Sequence, residues 1–367
     1  MRKKEFSLIF VPTTSCNSSC AYCFQQKKKK ESMTLDNYEQ AVLRLAQYLR
    51  IKGTEKLNFY WQGGEVMLLG VGYIKSAIKI QEKIGRETGI EFKNRLQTNL
   101  LLYDSSWTSV IKESFGGVLG SSLDFPNLYR RAPEISIEKY PLMWLEKYKL
   151  ASGDGIRVNA ISIPNRRSFK IGPKAFLDYY RKDLGIQSIQ LNFAFPFSAG
   201  GRLRKEMENS LEELNNFIKD LFLYYLEVRK DHHFEISPFE NILSSFRDRG
   251  IKQRPCIFSR VCAENFMALG PDGSCALCDC WLEGGEKFRF GNLIKEEPEV
   301  LFENTFRKRI FKRLDKILNE DCYDCPFLQM CFGGCPVRTY SFYGDIFHKD
   351  FYCPVYLTMF RIAAERA

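Results

Sequence analysis

The stretch SLIFVPTTSCNSSCAYCF, residues 7–24, places three cysteines directly after a short apolar run. Residues 7–11 have the composition of a β-strand, so Cys16, Cys20 and Cys23 would follow in the loop of a first βα unit. A [4Fe–4S] cluster takes four ligands, and three thiolates leave one iron open. The spacing therefore predicts iron–sulfur chemistry on a bound small molecule. A zinc knuckle, or three unrelated core cysteines, is the alternative.

Strand-like and helix-like segments alternate through the first two-thirds of the chain. Strands are expected at 7–11, 57–61, 92–98, 118–123, 156–163 and 188–193, and helices at 34–52, 71–88, 106–112, 137–148, 173–184 and 211–228. This alternation predicts an α/β fold with a parallel sheet and helices outside it. Six units fall short of the eight that close a full barrel, so we expect a partial (βα)6 TIM-like barrel.

The composition changes after His232, because ten of the thirteen cysteines lie between Cys256 and Cys353. Such a segment has little core of its own and is typical of a small module stabilised by metal. We therefore predict a barrel over residues 1–231 and a cysteine-rich α+β domain over residues 232–367.

Composition and charge restrict the location and the partners. The chain has 367 residues, of which 45% are hydrophobic, and no export signal or membrane-spanning apolar run is visible. A cytoplasmic location with reduced thiols follows. The net charge is +10 and lysines fill positions 27–30. We interpret that run as a solvated loop and expect neither a nucleic acid nor a membrane partner.

The three-cysteine motif resembles the signature of the radical S-adenosylmethionine (SAM) superfamily. The resemblance implies that SAM chelates the open iron through its amino and carboxylate groups. An electron from the cluster would then cleave SAM to methionine and a 5′-deoxyadenosyl radical, which removes a hydrogen atom from the substrate.

Five further positions resemble SAM-binding elements of the same family. Gly63-Gly64-Glu65 matches its GGE motif, in which glycines admit a close approach and the carboxylate pairs with the SAM ammonium. By analogy, Tyr22 would lie near the adenine and Ser122 would bind the SAM carboxylate. A glycine turn with an exposed glutamate, a buried tyrosine and a strand-end serine are the alternatives.

The C-terminal cysteines resemble the SPASM module that follows radical SAM barrels, which implies two auxiliary [4Fe–4S] clusters. The first set of ligands would be Cys256, Cys262, Cys278 and Cys335, and the second set Cys322, Cys325, Cys331 and Cys353. Two Cys₄ zinc sites are the alternative. Cys275 also fits the spacing and could replace Cys278, and Cys280 has no assigned role.

Within the superfamily, the chain is most similar to anaerobic sulfatase-maturating enzymes. The shared features are WQGGE at 61–65, QTN at 97–99 and an aspartate, Asp279, directly after an auxiliary-cluster cysteine. That aspartate would accept the proton as the substrate radical is oxidised, without a large pKa shift. A solvent-facing or capping aspartate is the alternative.

The chain departs from those enzymes near the expected substrate entrance. Residues 122–127 read SLDFPN where Asp-Gly-Pro is usual, and Val66 replaces a proline. The departures favour maturation of a ribosomal peptide (RiPP) by crosslinking or cyclisation over oxidation of Cys or Ser to formylglycine. The expected partners are a peptide or protein substrate and an electron donor such as flavodoxin or ferredoxin. A non-catalytic metal-stapled binding protein is the remaining alternative.

Overall fold

The structure, a computed structural model, describes residues 4–25, 30–197, 201–229, 234–247 and 255–366. The strands in these residues are β1 (Glu5–Phe10), β2 (Lys56–Trp61), β3 (Glu91–Thr98), β4 (Val118–Ser122), β5 (Arg157–Ser162), β6 (Ser188–Leu191), β7 (Glu235–Ser237), β8 (Phe266–Leu269), β9 (Ser274–Ala276) and β10 (Gly291–Asn292). Most of the lysine run at 27–30 lies outside the described residues.

Helices separate the strands of the first half of the chain. They are α1 (Leu35–Ile51), α2 (Gly70–Thr88), α3 (Thr108–Ser114), α4 (Tyr140–Gly153), α5 (Arg166–Asp178), α6 (Gly201–Asn209) and α7 (Leu211–Val228). The C-terminal part adds α8 (Phe239–Arg247), α9 (Cys262–Asn265), α10 (Asp279–Glu283), α11 (Pro298–Phe302), α12 (Thr305–Asn319), α13 (Leu328–Cys331), α14 (Pro336–Tyr343) and α15 (Cys353–Arg366).

One sheet with the order β10-β9-β8-β1-β2-β3-β4-β5-β6-β7 runs through the protein. Strands β1 to β7 are paired in parallel in chain order, and β8 is parallel to β1 on its other side. The predicted α/β class with a parallel sheet is confirmed. The six predicted strands are present, and β7 extends the parallel series beyond them.

The first helix shows why the periodic segments fold as predicted. Thr34 caps α1 by accepting a hydrogen bond from the backbone N–H of Asn37. Tyr38 points into the core, where its ring packs against Phe10 and Trp61 with centroid distances of 5.2 and 5.9 Å. The apolar face of α1 is thereby buried on the strands that carry the two motif loops.

Helix α5 differs from its predicted extent of 173–184. It begins at Arg166 with a capping box from Asn165 and is interrupted at Gly172, whose φ is +81°. Proline disfavours helical geometry in the residue before it, and glycine tolerates a positive φ there. The helical pattern after Pro173 was therefore correct, but an additional turn precedes it and a π-helical turn, Tyr179–Asp183, follows it.

The sheet crosses the predicted domain boundary at residue 231. Strands β7 and β8 come from the C-terminal side, and the backbone N–H of Val11 donates to the carbonyl of Leu269 at 2.9 Å. Helix α15 packs on α7, with Thr358 hydrogen-bonded to Asn215 at 2.8 Å. The boundary remains a prediction. Within the part of the chain that the structure describes, no helix is long and apolar enough to cross a membrane.

Candidate active site

The loop after β2 lies directly against the cysteine loop after β1. The backbone N–H of Gly64 donates to the Thr13 carbonyl at 3.0 Å, and that of Glu65 donates to the Ser15 carbonyl at 2.8 Å. A Cβ added at Gly64 would lie 2.0 Å from the Ser15 oxygen. The sequence interpretation assigned the glycines to a close approach of ligand. In the structure, they first permit the approach of the cysteine-loop backbone.

Glu65 is buried and joins the glycine loop to the end of β3. One carboxylate oxygen accepts from Thr98 Oγ1 at 2.7 Å and from the Met67 N–H at 2.9 Å, and the other accepts from the Asn99 N–H at 2.7 Å. Burial raises the pKa of Glu65, and these hydrogen bonds oppose the rise. The exposed-glutamate alternative is therefore wrong. Since a carboxylate offers about four acceptor positions, these three hydrogen bonds leave about one acceptor position for a SAM ammonium.

Asn99 continues this connection to the cysteine loop. Its amide nitrogen donates to Asn17 Oδ1 at 2.5 Å and Ser18 Oγ at 3.1 Å, and it lies 3.9 Å from Cys16 Sγ. The backbone N–H of Ser18 also donates to Cys16 Sγ, at 3.3 Å. Hydrogen bonds to cysteine sulfur are one of the means by which proteins adjust iron–sulfur clusters, so this environment suits a cluster ligand.

Tyr22 is held by a buried ion pair that sequence reasoning did not assign to the site. Its hydroxyl donates to Asp124 Oδ2 at 2.6 Å, and Arg130 Nε donates to the same oxygen at 3.0 Å. The Arg130 guanidinium lies 5.3 Å from the Tyr22 ring centroid. Burial raises the pKa of Tyr22 well above its usual value. The signal in the sequence was an acid and a base six residues apart after β4.

Ser122 has a protein partner in the neighbouring strand. Its hydroxyl accepts a hydrogen bond from the Gln97 side-chain amide at 3.0 Å. This contact places Ser122 at the C-terminal edge of the sheet, on the same side as the glycine loop. Its role toward the SAM carboxylate stays a prediction.

Asp279 meets the glycine loop from the cysteine-rich part of the chain. It is the first residue of α10, and its Oδ2 accepts a hydrogen bond from Gln62 Nε2 at 2.8 Å. Burial raises the pKa of Asp279 to about 6, although a hydrogen bond from the backbone N–H of Cys280 acts to lower it. The sequence interpretation required no large shift for this role, and the structure adds one. Asp279 is half-buried, and its hydrogen bond from Gln62 argues against the solvent-facing alternative. A pKa near neutrality suits a proton acceptor.

The structure brings together the four cysteines of the first auxiliary set. The thiol of Cys262 lies close enough to those of Cys256, Cys278 and Cys335 to interact with each of them electrostatically. Cys256 interacts in the same way with Cys278 and Cys335. Cys275 instead lies buried on β9, where its thiol is 3.6 Å from the Gly273 carbonyl. This placement favours Cys278 over Cys275 as the ligand. Cys280 lies beside the set, with its sulfur within 4.8 Å of that of Cys278 and hydrogen-bonded to Asp279 Oδ1 at 3.8 Å.

The second auxiliary set surrounds a cavity. All four of its members, Cys322, Cys325, Cys331 and Cys353, line that cavity together with the apolar side chains of Leu328, Tyr356, Leu357 and Phe360. Burial raises the pKa of Cys353 to about 11, so its thiol would lose its proton on metal binding. Four convergent thiols fit a [4Fe–4S] cluster, and by number alone they also fit zinc.

Gly64→Ala is expected to displace the cysteine loop, because the new methyl group overlaps the Ser15 carbonyl. We expect a lower melting temperature and loss of the iron that the sequence predicts at Cys16, Cys20 and Cys23, measured by thermal unfolding and iron analysis. Gly72→Ala is the control, since a Cβ there meets nothing within 4 Å. An unchanged melting temperature and iron content in Gly64→Ala would contradict the contact.

Asp124→Ala is expected to destabilise the protein by about 3–5 kcal/mol, because it leaves Arg130 buried without its partner. The free energy of unfolding in urea measures the loss. The double variant Asp124→Leu with Arg130→Met should be destabilised by less than the sum of the two single variants Asp124→Leu and Arg130→Met. Additive losses would show that the pair is not coupled.

Comparison with curated proteins finds relatives along nearly the whole chain. The chain is 24% identical to the cysteine-type anaerobic sulfatase-maturating enzyme of Clostridium perfringens over 375 residues, covering 98% of this chain and 96% of the relative. It is 23% identical to the serine-type enzyme of Klebsiella aerogenes, covering 91% and 80%. No protein-family model matches the chain. The predicted resemblance to this group of radical SAM enzymes is confirmed.

Solved structures share the fold. The structure of anSMEcpe with bound AdoMet superposes with a TM-score of 0.83 at 23% identity, covering 99% of this chain and 97% of that one. Streptococcus suis SuiB bound to precursor peptide SuiA gives a TM-score of 0.61 at 15% identity, covering 96% and 76%. Both agree with the α/β architecture.

Proposed function

We propose that this chain, a homologue of radical SAM sulfatase-maturating enzymes, oxidises a residue of a peptide or protein after hydrogen abstraction. The observation that carries the proposal is the hydrogen bond between Gln62 and Asp279. It joins the glycine loop beside the three-cysteine motif to the residue that follows Cys278. A candidate proton acceptor thus lies between the proposed SAM site and the first auxiliary set.

The residues present fit the cofactors that this function needs. Cys16, Cys20 and Cys23 would hold the cluster that binds SAM, and the two cysteine sets would hold the auxiliary clusters. When bound, SAM and the clusters supply the 5′-deoxyadenosyl radical and an exit for the substrate electron. The chain contributes the cysteine loop, kept in place by Asn99 and Glu65, and donors directed at the sulfur of Cys16.

The proton that leaves the substrate would pass to Asp279. Gln62 donates to one of its oxygens and leaves the other, Oδ1, next to the Cys280 thiol at 3.8 Å. Burial disfavours the charged form of this carboxylate and raises its pKa to about 6, so Asp279 can take up a proton near neutral pH. Gln62 therefore acts as a positioning residue for Asp279.

Two oxidised products are supported by different observations. Similarity along nearly the whole chain to cysteine-type and serine-type maturases favours formylglycine. The loop after β4 favours a crosslink in another peptide, because it differs from the Asp-Gly-Pro segment usual in those enzymes. In this loop, Asp124 accepts hydrogen bonds from Arg130 and Tyr22. SuiB, whose solved structure contains a precursor peptide, shares the fold.

Anaerobic reconstitution followed by single-turnover assays tests the proposal. We expect about three four-iron clusters per chain and 5′-deoxyadenosine on reduction with SAM. Flavodoxin or ferredoxin should replace the chemical reductant. A zinc-loaded protein without iron, or intact SAM, would support the binding-protein alternative and overturn the proposal.

Two groups of peptides then distinguish the products. Sulfatase-derived peptides containing Cys or Ser should yield an aldehyde that a hydrazide captures, if formylglycine forms. Short peptides encoded beside the gene should lose two hydrogens without forming an aldehyde, if a crosslink forms. Fragmentation by mass spectrometry locates the modified residue in each case.

A further inference from the structure

Asp350 lies between the two cysteine sets and is bonded to one member of each. Its Oδ2 accepts a hydrogen bond from the backbone N–H of Cys335 at 2.8 Å, and its carbonyl accepts from the N–H of Cys353 at 2.9 Å. The side chain is buried, with 1% of its residue surface exposed. A buried carboxylate in this position places a negative charge close to both proposed clusters.

A buried arginine is linked to Asp350 through a tyrosine. Arg338 Nη1 donates to the hydroxyl of Tyr356 at 2.6 Å, and that hydroxyl donates to Asp350 Oδ2 at 2.9 Å. The guanidinium lies 5.6 Å from the ring centroids of Phe193 and Tyr352. These three residues, Arg338, Tyr356 and Asp350, are called the inter-set network below.

A second buried arginine fixes the loops around this network. Arg313 on α12 donates only to neutral oxygens, which belong to Phe332, Gly333, Thr339, Ile346 and His348. Two of these carbonyls lie between Cys331 and Cys335, and two lie just before Asp350. Arg313 thereby links the segment before Cys335 to the segment before Asp350.

The two charges differ in their contacts with the two sets. Arg338 lies in the first turn of α14, three residues after Cys335 of the first set. Asp350 is hydrogen-bonded to the backbone of Cys335 in the first set and of Cys353 in the second. Arg338 therefore acts on the first set, whereas Asp350 acts on the first and second sets.

We propose that Arg338 and Asp350 set the reduction potentials of the two auxiliary clusters in opposite directions. Reduction adds one negative charge to a cluster, which a nearby guanidinium favours and a nearby carboxylate disfavours, most strongly in a buried site. Arg338 makes the first cluster a better acceptor for the electron released by the substrate radical, while the proton goes to Asp279. The inference rests on the proposed function, because it requires iron–sulfur clusters at both sets.

A redox titration monitored by electron paramagnetic resonance tests the proposal. The starting protein carries Cys16, Cys20 and Cys23 all replaced by Ala, so only the auxiliary clusters contribute to the signal. Arg338→Gln should lower the midpoint potential of the first cluster, and Asp350→Asn should raise the midpoints. A tenfold change in the ratio of reduced to oxidised cluster at fixed potential corresponds to a shift of about 59 mV.

Two controls separate charge from packing. Arg338→Lys keeps the charge and should keep the potential, and Arg361→Gln removes a charge from an exposed position on α15 and should leave it unchanged. Full iron content with no shift, or shifts of the same sign in Arg338→Gln and Asp350→Asn, would overturn the proposal. Absence of iron from the starting protein would instead overturn the proposed function.

Asp350→Asn tests the proposed effect of charge on the potentials by itself if Arg338→Gln does not fold. Asparagine has nearly the shape of aspartate and keeps an acceptor oxygen for Cys335 and Tyr356, but it removes the charge. A raised midpoint in this variant alone supports the proposal, and an unchanged midpoint at full iron content refutes it.

Discussion

Replacing Cys16, Cys20 and Cys23 together by Ala is expected to abolish 5′-deoxyadenosine formation while the auxiliary clusters remain. The iron content should fall from about twelve to about eight atoms per chain. The physical reason is that the cysteine loop is held by side-chain bonds from Asn99 and by backbone bonds from the glycine loop, which the substitutions leave in place. Chromatography of the SAM products and iron analysis measure the two effects.

Cys275→Ala is the matched control for this experiment. Cys275 is buried on β9 and lies outside the proposed ligand sets, so SAM cleavage and iron content should not change. Persistent SAM cleavage in the triple variant would contradict the assignment of the three-cysteine motif. Loss of iron in Cys275→Ala would show that the first auxiliary set was chosen wrongly.

Asp279→Asn is expected to lower product formation by about 10²–10⁴-fold, while SAM is still cleaved. The amide keeps the size of the side chain and the contact with Gln62, but it cannot take up the substrate proton. 5′-Deoxyadenosine should therefore form without a matching amount of oxidised peptide. Quantifying both products in the same anaerobic reaction gives the ratio.

Glu283→Gln is the control for this second prediction, because Glu283 lies at the other end of α10 and its pKa is also raised by burial. Its product ratio should match that of the unaltered protein. Gln62→Ala should lower product formation by less than Asp279→Asn, since the base remains. If Asp279→Asn loses 5′-deoxyadenosine and product equally, Asp279 has a structural role rather than a catalytic one.

Local patterns were sufficient for most of the fold. The apolar spacing of α1 and the short apolar runs of β1 to β6 are long enough to identify each element before any tertiary contact forms. Strands β7 and β8 were not predicted because they are three and four residues long and lie after His232, where the regular alternation of strand-like and helix-like segments ends. These segments are strands because β7 pairs with β6 and β8 pairs with β1 in the folded sheet.

Cysteine spacing and the alternation of strands and helices, read from the sequence alone, determined the family resemblance, and that resemblance implied how the candidate ligands divide into three groups. The tertiary structure favours Cys278 over Cys275 as a ligand, because it buries Cys275 on β9. It buries Glu65 in a hydrogen-bonded site and joins Asp279 to Gln62. It also placed Asp350 between the two sets. These outcomes depend on desolvation and on hydrogen bonds between residues distant in the chain, and such contacts exist only after the sheet has brought their loops to one edge.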